Sequence, residues 1–196
     1  MQLESARLNA IKILKESLPS YLTYHSIDHT LDVYQESMRI ARSENITSNE
    51  DMCILLTAAA YHDIGFVVSE LNHEQQSSII CMEHLPRYGY SDEQINRVCT
   101  LVMATKIPQT PNCHLAEILC DADLDYLGRT DFEEISSSLY DEFLYRKIVT
   151  NKEFWDKVQV NFFNAHHYFT KTNRELRDHQ KAENLKKIIE TVKNYG

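Results

Sequence analysis

Glycine and proline are scarce in this chain, four of each in 196 residues. So few turn-formers argue against the many tight turns of a sandwich or barrel and point to long helices. No apolar run is long enough to cross a bilayer. The five cysteines (Cys53, Cys81, Cys99, Cys113, Cys120) are odd in number and hold no C-x-x-C pair. They read as reduced, partly buried thiols of a cytoplasmic protein, not as disulfides or zinc ligands. Positive charge is in deficit, with 20 Lys and Arg against 29 Asp and Glu and a net charge of −9. An acidic surface does not attract a polyanion over a broad face, which disfavours duplex nucleic acid and membranes as partners. A small phosphate ester stays within reach if one or two metal ions reverse the sign locally. The N-terminal stretch MQLESARLNAIKILKESL has no continuous apolar segment and reads as a first helix, not a signal peptide. Lys181, Lys186 and Lys187 read as a solvated helix face.

What is present is ordinary for a soluble globular chain: 43% hydrophobic and 25% charged residues. The length suits one domain with a substantial core. Leu8, Ile11 and Leu14 form one apolar stripe at helical spacing, and Leu31, Tyr34, Met38 and Ala41 another. Ser48 with Asp51 predicts a helix start, and Ser91-Gln94, Thr130-Glu133 and Thr150-Glu153 fit the capping-box pattern. Phe66-Val67-Val68 is too short to build a sheet, and no repeat is visible. The expectation is an all-α fold, an irregular helical bundle of roughly seven to nine helices. One domain spans 1–196, with the helices after Thr130 extending the same bundle.

Three segments carry chemistry. His62-Asp63 follows an apolar helical run (Ile54, Leu55, Leu56, Ala58, Ala59, Ala60) that stops at Gly65. Chance alone supplies about half of one His-Asp pair in such a composition, so position gives the pair its weight. His62 shares the face of Leu55, Ala58 and Ala59, and a buried Asp63 beside it needs a cation or hydrogen bonds in compensation. His25 and His29 stand four residues apart, nearly one above the other if both are helical. One can ligate a metal while the other, about 6 Å along the axis, reaches a substrate. Asp28 and Asp32 are candidates to orient these imidazoles. Asp121, Asp123 and Asp125 follow a third apolar run, and spacing does not choose among them. The plainer readings are helix caps, exposed histidines and an acidic helix end. Together the three segments make a mixed N/O ligand set for a divalent metal and point to metal-dependent hydrolysis.

The ordered series His29, His62-Asp63, Asp123 resembles the H…HD…D signature of the HD-domain metal-dependent phosphohydrolases. The likeness covers roughly residues 20–130, leaving 131–196 as a C-terminal helical extension. His62-Asp63-Ile64-Gly65 matches the family's HD-I-G form, and Asp121-Ala122-Asp123-Leu124 its D-A-D-x-L form, which selects Asp123 as the ligand. The resemblance implies an HD-type helical bundle and a phosphohydrolase acting on a phosphate ester or anhydride of a small nucleotide. One divalent ion (Mn, Mg, Zn, Fe, Ni or Co) would be bound by His29, His62, Asp63 and Asp123. A homo-oligomer is compatible with this reading.

Tyr24 to Gln35 is similar to a motif of cyclic-nucleotide phosphodiesterases, in which His25 would donate a proton to the leaving oxygen. Ser26 and Thr30 replace that motif's Asn and Ala, and the chain lacks the HDxxHPG form, so this activity stands as the alternative. His73-Glu74 resembles the HE pair that follows HD-I-G. The later histidine of binuclear members is missing, since the chain reads Met103-Ala104-Thr105-Lys106, which also argues against a two-iron oxygenase. Lys106, Arg129 and His73 are candidate substrate-binding residues. A catalytically silent nucleotide- or metal-binding regulatory domain is the remaining rival. His166-His167 lies in an aromatic stripe that reads as core, and His84, His114 and His179 read as surface histidines.

Overall fold

Residues 1–195 are described in the computed structural model, and among them are nine α-helices, three short 3-10 turns and no strand. The helices are α1 (Leu3–Ser17), α2 (Ile27–Ser43), α3 (Asn49–Tyr61), α4 (His73–His84), α5 (Asp92–Ala104), α6 (His114–Asp123), α7 (Phe132–Tyr145), α8 (Lys152–Ala165) and α9 (Lys171–Lys193). The 3-10 turns occupy Ile64–Val67, Leu85–Tyr88 and Asp125–Gly128. None of the described helices is long and apolar enough to cross a membrane.

The bundle is organised around α3. Every residue from Ile54 to Tyr61 is buried, because this segment is apolar all round and can only sit at the centre of other helices. It packs against α1, α2, α5 and α6, and these helices share one continuous hydrophobic core. α1 and α2 meet that core on faces offset from the expected stripes. α1 buries Ala6, Ala10 and Leu14 and leaves Leu8 54% exposed. α2 buries Val33, Ser37, Ile40 and Ala41, with Leu31, Tyr34 and Met38 half-buried. On α1 the small side chains of Ala6 and Ala10 let the helix approach the core closely, and that packing outweighs burial of the larger Leu8.

Two of the expected caps form: Ser48 accepts from Asp51 N, and Ser91 and Gln94 make a reciprocal box. The other two shift by one residue. α7 starts after Asp131, with no side-chain cap, and α8 is capped by Asn151, whose side chain accepts from Phe154 N at 2.9 Å. Asn151 serves as the cap in place of Thr150 because the helix starts one residue later, which makes Phe154 N the orphan amide to be met.

A second, smaller cluster joins Tyr24, Leu124, Tyr126 and Leu127 to Phe132 of α7, Phe163 of α8 and Ile188 of α9. It lies on the side of the bundle where the chemistry-bearing segments end. Lys181 departs from its expected solvated position. It is 9% exposed, donates to the His166 carbonyl at 2.5 Å and lies over the Tyr168 ring.

Gly65 fixes how α4 meets this region. A Cβ there would lie 1.9 Å from the His73 carbonyl oxygen and 2.7 Å from Ser77 N. Its own amide donates to Ser77 Oγ, which donates in turn to the His62 carbonyl. Gly65→Ala therefore pushes the start of α4 away from His62-Asp63. The expected cost is about 2–4 kcal/mol, as for other severe overpacking. A urea unfolding midpoint equal to that of the parent protein would contradict this.

Candidate metal centre

Each segment delivers its side chain for a local reason. His62 occupies the C-terminal cap of α3, and its Nδ1 donates to the Ala59 carbonyl at 2.9 Å. That bond leaves Nε2 as the nitrogen with a lone pair to offer. The backbone turns out of helix at Asp63 (φ −105°, ψ 4°). His29 lies in the first turn of α2, whose cap is Ser26. His25 therefore precedes the helix and is not one helical turn below His29, although the two ring centres are still 6.1 Å apart. Asp123 is the last residue of α6.

These side chains converge. One donor atom each of His29, His62 and Asp123 lies within 4.8 Å of the others. His29 Nε2 is 3.4 Å from His62 Nε2 and 3.3 Å from Asp123 Oδ1. Asp63 Oδ2 is 3.1 Å from His62 Nε2 and 3.5 Å from His29 Nε2. The buried Asp63 Oδ2 has no hydrogen-bond partner. A buried carboxylate oxygen facing two imidazole nitrogens and satisfied by neither matches the donor set of a divalent cation.

Charges in the cluster are strongly coupled. Burial would lower the His62 imidazole, but the adjacent Asp63 and Asp123 carboxylates outweigh it and hold the ring well above the ordinary histidine value. Burial alone would raise both carboxyls; the imidazoles hold them below the usual range. In the cation-free protein a proton on His62 thus takes the place a cation would fill, and the two compete. Cation affinity is expected to rise as the pH climbs above the ordinary histidine value toward the raised one of His62, with release of about one proton per ion. Calorimetric titration in buffers of different ionisation enthalpy measures this, and pH-independent uptake without proton release would contradict it.

Around the cluster, His25 Nδ1 is 2.6 Å from Glu142 Oε1. Glu142, 0% exposed on α7, also accepts from the backbone amides of Tyr24 and His25 and from Arg146. Burial would raise its carboxyl, and the His25 and backbone hydrogen bonds hold it below the usual value. Phe66 lies between His25 and His73, with ring centres 4.3 and 4.0 Å away. His73 Nε2 is 3.4 Å from Asp63 Oδ1 and 3.5 Å from Glu74 Oε1. Burial pushes the His73 imidazole down, with Asp63 and Glu74 acting in the opposite direction.

Other sequence candidates sit elsewhere. Lys106 is exposed, with Nζ 3.3 Å from Asn72 Oδ1, while its neighbours Thr105 and Ile107 line the cavity at the centre. The Arg129 guanidinium is taken up by Asp32 (2.8 and 2.9 Å) and Asp131 (2.7 and 3.0 Å). Asp32 is thus an arginine partner and not an acceptor for an imidazole; Asp28 is exposed.

The three acidic residues after α6 divide by direction. Two residues advance a helix by about 200°, so Asp123 faces away from Asp121, while Asp125 lies beyond the helix in the following 3-10 turn. Asp121, fully buried, accepts from Phe169 N, Thr170 N and Thr170 Oγ1 at 2.6–2.8 Å. Asp125, also fully buried, accepts from Arg39, Asn173 and Arg177. Both anchor the start of α9. Gln109 Nε2 donates to Asp123 Oδ2 at 3.3 Å, consistent with Oδ1 being the oxygen turned to the histidines. Neither Gln109 nor Glu142 was singled out by the sequence. Gln109 lies in a loop between two prolines, and Glu142 sits 117 residues from its imidazole in a helix with no motif.

The sequence model of the HD domain matches residues 26–125. A crystal structure of a predicted HD superfamily hydrolase from an uncultured Thermotogales bacterium superposes with a TM-score of 0.63, covering 96% of this chain and 92% of that one at 18% identity. At that identity the likeness speaks for the fold. No curated protein matches the chain.

Proposed function

Since this chain belongs to the HD-domain family, we propose that it is a metal-dependent hydrolase of phosphate esters or anhydrides. His29, His62, Asp63 and Asp123 would hold one divalent ion, and Mn, Mg, Zn, Fe, Ni and Co all accept such N/O donors. The observation that carries this reading is the unpartnered Asp63 Oδ2, buried between two imidazole nitrogens.

When bound, a divalent ion supplies Lewis acidity to a phosphoryl oxygen and acidifies the attacking water. The remaining work belongs to the chain. His25 lines the cavity beside Asp63 and Asp123. With Nδ1 tied to Glu142, its Nε2 is the nitrogen left to give a proton to the departing oxygen. Phe66 braces His25 and His73 as parallel-leaning plates, so the imidazole pays little orientational entropy during transfer. A nucleotide as substrate rests on the likeness of the motifs alone; the cavity presents no group set to read a base.

The test begins with elemental analysis of anaerobically purified protein, followed by phosphate release from a panel of esters with the metal found. The expected result is close to one ion per chain and turnover that chelation abolishes. Turnover unaffected by chelation, or no release from any ester, would overturn the reading.

A further inference from the structure

Beside the metal ligands lies a cavity of about 180 Å³ that opens to solvent. That is room for a compact apolar group, since a dry apolar cavity of about 150 Å³ admits benzene. One end holds Asp63, Asp123 and His25, and the rest is walled by α7, α8 and the turn after α6. Those walls are apolar, with Phe132, Leu139, Phe143, Trp155 and Phe162 prominent among them. Phe143 and Trp155 meet edge to face at 5.6 Å, which gives the wall a fixed shape.

Away from the ligand end few polar groups line the cavity, and Trp155 Nε1 is a buried donor there without a partner. Gln159 accepts from Ser136 Oγ at 2.6 Å and donates to Asp156 at 3.1 Å. Among the described residues no lysine or arginine lines the cavity. The neighbouring cations are engaged: Arg146 with Glu70 and Glu142, and Arg129 with Asp32 and Asp131. The centre can thus neutralise one phosphoryl group, but nothing further along meets a second phosphate. A nucleobase placed there would find one donor, Trp155 Nε1, and leave most of its other donors and acceptors unpaired, a penalty that disfavours a polar body.

We infer that the molecule this site takes is a phosphate monoester of an apolar alcohol, with its phosphoryl group at the His29, His62, Asp63 and Asp123 cluster and its hydrocarbon body between α7 and α8. The inference rests on the hydrolase reading and narrows it. In the step, a water oxygen bonds to phosphorus and the phosphorus–oxygen ester bond breaks. Its electron pair leaves with the alcohol oxygen, which takes a proton from His25, and the proton lost by the water restores His25. The products are the free alcohol and inorganic phosphate.

The experiment uses the cation-loaded full chain with ethyl, hexyl and decyl phosphate, below their aggregation concentrations, and with nucleoside monophosphates. The value of kcat/KM should rise roughly threefold per methylene over the first several carbons and exceed that of every nucleotide. Leu139→Asp should cut the decyl-to-ethyl ratio at least about tenfold. Val158→Phe, a milder change in the same wall, should also lower it and serves if the first variant does not fold.

Binding is read separately. Trp155 is the single tryptophan and lines the cavity, so decylphosphonate should change its emission while ethylphosphonate at equal concentration does not. Hydrolysis indifferent to chain length, or best with a nucleotide, would overturn the inference and leave the hydrolase reading standing. If no ester is hydrolysed, the hydrolase reading falls, and the phosphonate titration decides alone: a Trp155 response supports the apolar ligand, and none overturns it.

Discussion

Asp123→Ala protein is expected to bind no stoichiometric divalent ion and to lose phosphoester turnover by on the order of 10³-fold or more, whereas Asp121→Ala protein keeps its ion. The contrast follows from direction. Asp123 Oδ1 faces His29 and His62, while both Asp121 oxygens are occupied by Phe169 and Thr170 at the head of α9. Removing Asp121 leaves two buried amides and a hydroxyl without their acceptor, at about 1–3 kcal/mol for each group left unsatisfied. Asp121→Ala should therefore show a stability loss of about 3 kcal/mol with its cation stoichiometry retained. Elemental analysis and denaturant unfolding of the two variants read these effects independently. Cation loss in the Asp121 variant together with retention in the Asp123 variant would reverse the assignment and remove the proposed centre.

Glu142→Gln should lower kcat by on the order of 10²-fold, the scale of a lost general acid, with KM and cation content little changed. Glu142 touches no reacting atom; it is a positioning residue that holds the His25 ring by Nδ1 and the preceding backbone by two amides. An amide side chain in its place presents one oxygen and one NH₂ where the carboxylate offers two acceptors, so it cannot satisfy all four donors. A purely structural role would lower stability without singling out the chemical step. The double variant separates these cases. If Glu142 acts through His25, then in a His25→Ala background Glu142→Gln costs little further kcat. Full additivity of the two losses would sink the positioning role.

Much of the centre was legible in the chain. His62-Asp63 stood at the end of an apolar run that had to be central, and a histidine there had to be buried. The division between Asp121 and Asp123 also follows from helical geometry, once α6 is known to reach Asp123. The placement of His25 was less secure, because Ser26 caps α2 and puts His25 in the preceding turn. The buried faces of α1 and α2 were offset: α1 turns Ala6 and Ala10 inward, and α2 turns in Val33, Ser37 and Ile40. Lys106 and Arg129 show the limit for isolated charges: their partners Asn72 and Asp32 lie on other segments, and only folding reveals how those charges are spent.

The sequence by itself determined the helical class and the helix ends that carry the candidate ligands, because periodicity, caps and breakers act over a few residues, while the choice of Asp123 among three acidic residues came from the likeness of its motif. Only the tertiary structure decided that Glu142 from α7 hydrogen-bonds His25 and that α7 and α8 wall an apolar cavity beside Asp63 and Asp123. The first of these joins residues 117 positions apart, and no local pattern encodes which helix faces will be left to meet once the central core has closed.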